Sequence, residues 1–244
     1  MKRIYLLFII LCGCSSTLPD ESLSLAEHLQ IGMDYLDEEK YVKAQDEFKF
    51  VLSRGTGTDY GDDAQFFLAE SYFLNDQFIL AIKEYESLTR KMAFSPFFEK
   101  SRFRICEAYR FESPEYYKDQ IYTEKALERY REFLDDFPNS EHSQTATESM
   151  SDLRNKLAKK LYETGMLYLK MDEYEPARMS FNRVLDQYYD TDIIERVHFG
   201  VIQSYVKDNK LDQAKEYWLG KGHRDIVTEE LISEIDQLFA ESEN

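Results

Sequence analysis

The chain has 244 residues and a formal net charge of −17 at pH 7. A surface this acidic repels nucleic acid and anionic lipid head groups, and no basic arm or stripe offsets it, which argues against DNA or RNA binding. Only 9 Gly and 5 Pro stand against 18 Tyr and 17 Phe, a balance that predicts long helices rather than short strands.

The N-terminus reads as an export signal. Lys2 and Arg3 precede an apolar run from Ile4 to Leu11, which is too short for the roughly 20 residues that span a bilayer. Leu11-Cys12-Gly13-Cys14 follows and resembles a bacterial lipobox. The resemblance implies cleavage after Gly13, with residues 1–13 as signal peptide, a covalent lipid on Cys14 and a lipidated flexible tether over 14–23. The alternative is an ordinary secretory signal with incidental cysteines. Two or more acyl chains hold a protein to a membrane stably, at about 0.8 kcal/mol per buried CH₂. Ser15 and Ser16 follow with no Asp beside the anchor, which by resemblance to bacterial sorting favours the outer membrane. Without the signal, 28 basic side chains face 47 acidic ones, a net charge of −19. Cys106 then stands alone, so no intramolecular disulfide forms, and its apolar helical neighbours predict a buried structural thiol.

A repeat runs through the rest. Gly32-x-x-Tyr35 is followed by Tyr41-x-x-Ala44-x-x-x-Phe48. Thirty-seven residues later come Ala69-x-x-Tyr72 and Phe78-x-x-Ala81-x-x-x-Tyr85. Cys106-x-x-Tyr109 keeps the interval, but its second half, Ala126-x-x-x-Tyr130, is delayed by eight residues. Gly165-x-x-Tyr168 with Tyr174-x-x-Ala177-x-x-x-Phe181 follows, then Ile202-x-x-Tyr205 with Leu211-x-x-Ala214-x-x-x-Trp218. A small residue three before an aromatic lets two helices approach closely, and an aromatic on the second helix fills the space beside it. The pattern resembles the tetratricopeptide repeat, a helix pair of about 34 residues. The predicted fold class is all-α: an α-solenoid of about five helix hairpins and a C-terminal capping helix. A helical bundle with coincident Ala and Tyr positions is the alternative.

Helix ends agree with the repeat. Ser24-x-x-Glu27 is a candidate capping box. Ser95-Pro96 predicts an N-cap and a proline in the first helical position. Asn75-Asp76 and Asp208-Asn209 mark inner turns. Asp172 precedes a helix whose first turn tolerates Pro176. Leu231, Ile232, Ile235, Leu238 and Phe239 form a helix-period stripe suited to covering the last face of a stacked array. From Ser143 to Ala158 there is no Gly or Pro, which predicts a long helix running into the fourth repeat. These readings divide the body into an N-terminal lobe over 24–140, with repeats 1–3, and a C-terminal lobe over 141–244.

The delayed third repeat carries Asp119-Gln120 within Ser113–Ala126 and ends Phe137-Pro138-Asn139-Ser140. Later come Lys156-Leu157-Ala158 and Tyr188-Tyr189-Asp190-Thr191. Together with the lipobox, these segments make the chain similar to the BamD (YfiO) family of tetratricopeptide lipoproteins, from Leu11 to about Trp218. Tyr189 departs from the family's usual proline, and Glu141-His142-Ser143 from its aromatic-Ala step. The resemblance implies a lipid-anchored scaffold on the periplasmic face of the outer membrane. Its implied partners are the periplasmic domains of the β-barrel insertase, other assembly-complex subunits and the C-termini of unfolded barrel precursors, and its membrane contact is the lipid. The alternative is another envelope lipoprotein of the Tol-Pal type, which usually carries an N-terminal coiled coil.

No catalytic constellation is legible. His28, His142, His198 and His223 have no ligand spacing among them, no phosphate loop or nucleophile elbow occurs, and acidic neighbours such as Asp62-Asp63 do not face each other on a helix. The reading is therefore a non-enzyme with no cofactor beyond the lipid. Binding surfaces follow from the repeat register, because the first helix of each repeat lines the inner surface. In the first lobe this places Met33, Leu36, Phe66, Phe73, Phe103 and Arg110 there, suited to an extended peptide with aromatic side chains and a terminal carboxylate. In the second lobe it places Lys159, Tyr162, Lys170, Arg196, Phe199 and Lys207, with Arg183 nearby, suited to an acidic partner face. The competing readings are inter-repeat core for the first set and solvated charges for the second.

Overall fold

A computed structural model describes residues 22–55, 57–220 and 228–242. The signal, Cys14 and most of the tether lie outside the described residues. Eleven helices and no strand occur among those described. They are α1 (Leu25–Asp37), α2 (Tyr41–Gly55), α3 (Gly61–Leu74), α4 (Phe78–Lys91), α5 (Phe98–Glu112), α6 (Ile121–Asp136), α7 (Ser143–Lys170), α8 (Tyr174–Gln187), α9 (Ile194–Lys207), α10 (Leu211–Leu219) and α11 (Glu229–Ser242). Ser24 caps α1 through a complete capping box with Glu27, which satisfies backbone donors that a helix start leaves open. The prediction at Ser95-Pro96 is corrected. The α5 helix begins at Phe98, and Ser95 lies in the preceding turn, where its Oγ accepts from the Phe97 N–H at 3.2 Å.

Four inner turns close the same way. Glu39, Asp76, Asp172 and Asn209 have φ of 57°, 54°, 59° and 55°. The N–H of the following residue donates to the carbonyl of the repeat tyrosine: Lys40 to Tyr35, Gln77 to Tyr72, Glu173 to Tyr168 and Lys210 to Tyr205, at 2.8–3.0 Å. This is the Schellman closure, which satisfies carbonyls at a helix end and reverses the chain. The third repeat replaces the tight turn with its eight-residue extension. Gln120, buried, donates to the carbonyls of Glu115 (2.8 Å) and Lys118 (3.0 Å) and accepts from the Thr123 hydroxyl (2.7 Å). Lys156 Nζ donates to Ser113 Oγ at 2.8 Å. The insertion is thus a stitched loop whose backbone groups are matched by side chains.

Two compact units result, divided between Ser101 and Arg102. The first unit holds α1–α4 and the first turn of α5. Its core gathers Ala44, Phe48 and Leu68, with Met33, Tyr35 and Leu36 against them. A Cβ on Gly32 would sit 2.6 Å from Phe48 Cε1, so the glycine is where the α2 ring crosses α1. The second unit contains the rest. Its first cluster joins Phe103, Cys106, Tyr130, Phe133, Leu153 and Leu157, and a second joins Ala158, Leu169, Phe181, Val184 and Val197. The 28-residue α7 contributes to both. Ile202, Trp218, Leu231, Ile235 and Phe239 form the last cluster, so α11 covers the end of repeat five as the apolar stripe predicts. Cys106 is buried, and burial pushes its thiol pKa up.

Candidate functional site

The repeat register sorts the polar contacts as well as the apolar ones. Where the second-helix aromatic is Phe48 or Phe181, the small residue before it is Gly32 or Gly165, followed by Met. Where it is Tyr85 or Tyr130, the small residue is Ala69 or Cys106, followed by a buried glutamate. Tyr85 donates to Glu70 and Tyr130 to Glu107. One turn earlier, helix pairs are clasped at equivalent positions. Buried His28 Nδ1 lies 2.6 Å from Glu47, Gln65 donates to Glu84 Oε2 at 2.9 Å, and His198 Nδ1 lies 2.6 Å from the Tyr217 hydroxyl. Sequence reasoning passed over these clasps. The signal for them was a polar residue recurring four before the small position. They secure the helix pairs rather than a ligand.

The structure redistributes the residues expected on the first-lobe surface. Phe66 is 1% exposed, its ring stacked on Phe97 at 4.4 Å with 10° between planes. Phe73 is 8% exposed and meets Phe78 edge-on at 5.3 Å. Phe103, also 8% exposed, stacks on His142 at 4.2 Å. These three belong to the core: rings from turns 31 and 39 residues further on cover Phe66 and Phe103, and Phe78 at the start of the next helix covers Phe73. Arg110 is committed as well. Its Nε and Nη2 donate to the two Glu107 oxygens at 3.0 and 2.8 Å, and its guanidinium lies 4.5 Å from the Phe111 ring centre. Burial pushes the Glu107 carboxyl up, but the bonds from Arg110 and Tyr130 outweigh it and its pKa falls below the ordinary value. The fork expected for a ligand carboxylate is thus occupied by the protein's own. Met33 and Leu36 alone of the set are half-buried against the first-unit core.

The second set holds together better. Lys159 and Arg196, Tyr162 and Phe199, and Lys170 and Lys207 are repeat-equivalent pairs on α7 and α9. Tyr162 is half-buried against Phe181 at 5.8 Å, and Arg196 is close enough for its charge to act on the Tyr162 hydroxyl. Burial nonetheless leaves that hydroxyl with a raised pKa. Lys159 Nζ sits 4.5 Å from the centre of the Tyr116 ring, on the insertion loop, a cation–π geometry. Arg196 bonds Glu234 of α11 at 3.3 Å with its side chain still 58% exposed, and Phe199 packs partly into the last cluster. Arg183 does not join them. It lines a cleft of about 290 Å³ with Asp119, Ile121, Glu124, Lys160 and Tyr188, whose mixed charges favour no single ligand sign. Among the described residues no group of three His, Cys, Asp or Glu is placed to hold a metal ion, and no helix is long and apolar enough to cross a membrane.

Comparison with known proteins supplies the remaining observation. The sequence model of the family described as YfiO, outer membrane lipoprotein, matches residues 23–217. A protein of Rickettsia prowazekii named outer membrane protein assembly factor BamD is 24% identical over 226 residues, covering 89% of this chain and 87% of that one. Its namesake in Caulobacter vibrioides is 21% identical, covering 75% and 60%. Among solved structures, a tetratricopeptide repeat protein of Parabacteroides merdae aligns over 89% of this chain and 70% of its own at 17% identity, with a TM-score of 0.39.

Proposed function

The chain belongs to the YfiO family of outer membrane lipoproteins, and from that premise we propose that it is a lipid-anchored scaffold for assembling β-barrel proteins into the outer membrane. In this reading the lipid sits on Cys14, and the folded body lies on the periplasmic side. It engages the periplasmic domains of the barrel insertase together with unfolded barrel precursors. The observation that carries the reading is the family match across 23–217, which takes in the repeats and the extended third one. The curated relatives named for outer membrane protein assembly support it.

The docking face that fits best is the one on α7 and α9. Lys159, Lys170, Arg196 and Lys207 present cations beside Tyr162 and Phe199, within a chain whose net charge is −17. Exposed cations beside aromatic rings suit an acidic partner surface and fix its register. Depletion of the protein should lower barrel-protein levels in the outer membrane, and the lipidated chain should retrieve the insertase in a pull-down. Lys159→Glu combined with Lys207→Glu should weaken that retrieval, as should raised salt. Unchanged barrel levels on depletion would overturn the proposal. Retrieval indifferent to both charge reversal and salt would move the docking face elsewhere.

A further inference from the structure

One end of the first unit carries exposed side chains that the docking face does not use, together with Arg54, whose guanidinium lies 4.4 Å from the Phe50 ring centre. Antiparallel pairing puts the start of α1, the α2–α3 turn and the α4–α5 turn at this end. Side chains confirm the adjacency. A Cβ on Gly55 would lie 2.7 Å from Leu25 Cδ1, and Ser95 Oγ donates to Asp62 Oδ2 at 3.0 Å. A cleft of about 360 Å³ separates Thr58 and Asp62 from Lys91, Met92 and Phe94. Phe94, in the α4–α5 turn, is 104% exposed, and Tyr60, in the other turn, is 38% exposed. Arg54 and the pair Arg90-Lys91 occupy the last turns of α2 and α4 beside them.

The chain enters the first unit at this same end. Nine residues, Ser15 to Leu23, separate Cys14 from the Ser24 cap. Even fully extended they span about 30 Å. A lipid on Cys14 therefore keeps the two turns within a few nanometres of the bilayer, at a high effective concentration. A ring standing wholly in water at a turn matches what the membrane interface takes up, where an aromatic body is apolar and neighbouring long cations reach the phosphates.

We propose that this end of the first unit rests on the membrane surface, with Phe94 inserted at head-group level and Tyr60, Arg54 and Lys91 among the head groups. The inference rests on the lipid-anchor reading above. Asp59, Asp62 and Asp63 share the end with the cations, so the contact is made by apolar insertion rather than net charge, and it withstands salt.

The test uses the full lipidated chain on phosphatidylethanolamine–phosphatidylcholine vesicles. An environment-sensitive fluorophore is placed at Ala93→Cys, next to Phe94. Cys106 is 1% exposed and does not compete for the label. Asp76→Cys, at the far end of helices about 20 Å long, serves as the control. The label at 93 should shift to the blue and be quenched several-fold more by head-group nitroxide lipids than the label at 76, in low and high salt alike. Adding Phe94→Ser should abolish the difference. A vesicle-bound chain whose label at 93 behaves like the one at 76, or is indifferent to Phe94→Ser, overturns the inference but leaves the anchor standing. A chain that does not float with vesicles at all overturns both.

Discussion

Replacing Gly165 by alanine tests the helix crossing at the centre of the second unit. Phe181 is fully buried there. A Cβ on Gly165 would lie 2.5, 2.8 and 2.9 Å from three of its ring atoms, about 1 Å short of the usual carbon–carbon contact. The ring cannot retreat towards α9, because a Cβ on Gly200 would already stand 2.7 Å from its Cζ. Overpacking of this kind costs about 1–3 kcal/mol. Alanine offsets part of that, since it is better than glycine in a helix by about 1 kcal/mol. With both flanks closed the upper part of the range applies, so Gly165→Ala should destabilise by about 1–2 kcal/mol. In a Phe181→Ala background Cε1, Cδ1 and Cζ are all gone, and the same alanine should stabilise by about 1 kcal/mol. Urea unfolding of the four proteins, followed by far-ultraviolet circular dichroism, closes the cycle, with an expected coupling of about 2–3 kcal/mol. A stabilising Gly165→Ala in the natural background would refute the reasoning, as would equal effects in both backgrounds.

Two further outcomes follow from the turns and the Glu107 cluster. Glu39 holds φ of 57°, a left-handed conformation that costs a non-glycine residue about 1 kcal/mol or more. Glu39→Gly should raise stability by about 0.5–1 kcal/mol, and Asn209→Gly by less, as melting curves would show. The Glu107 pKa is depressed below its ordinary 4.5, so its contribution is present above that value and is lost as pH falls through the lower folded-state pKa. Arg110→Leu removes one of the two donors that hold it down and leaves burial to push the carboxyl up. Stability at pH 7 should fall by about 1–2 kcal/mol, the low end for a bond to a charged group because Arg110 is a third exposed. Denaturation midpoints taken from about pH 7 to pH 3 should show a shallower acid loss in the variant than in the natural chain. Parallel curves would exclude this role for Glu107.

Much of the fold was legible because its determinants recur along the chain. The 37-residue interval predicted the pairing of Gly32 with Phe48 and of Gly165 with Phe181. The capping box at Ser24 and the apolar stripe of α11 also stand where the pattern puts them. The first-lobe surface was not legible in the same way. A register assigns Phe66, Phe73 and Phe103 to a face but says nothing of what folds over that face. Phe97 and His142 come from turns between helices, where no periodicity operates. Arg110 did carry a readable warning in Glu107, three residues before it on the same helix. In the sequence the long helix reads as a connector between lobes. Its buried side chains instead make it the common wall of two neighbouring clusters.

That wall has a mechanical consequence. At 1.5 Å per residue, α7 is a rod about 42 Å long. Its first fifteen residues, with Ala146, Leu153 and Leu157, are bolted to one set of rings, and the remainder, with Ala158 and Leu169, to another. A load applied to the insertion loop, which Lys156 and Lys160 tie to α7 through Ser113 and the Lys118 carbonyl, reaches Phe181 without passing through a joint. The two clusters are therefore expected to yield together, as a single spring rather than beads on a string.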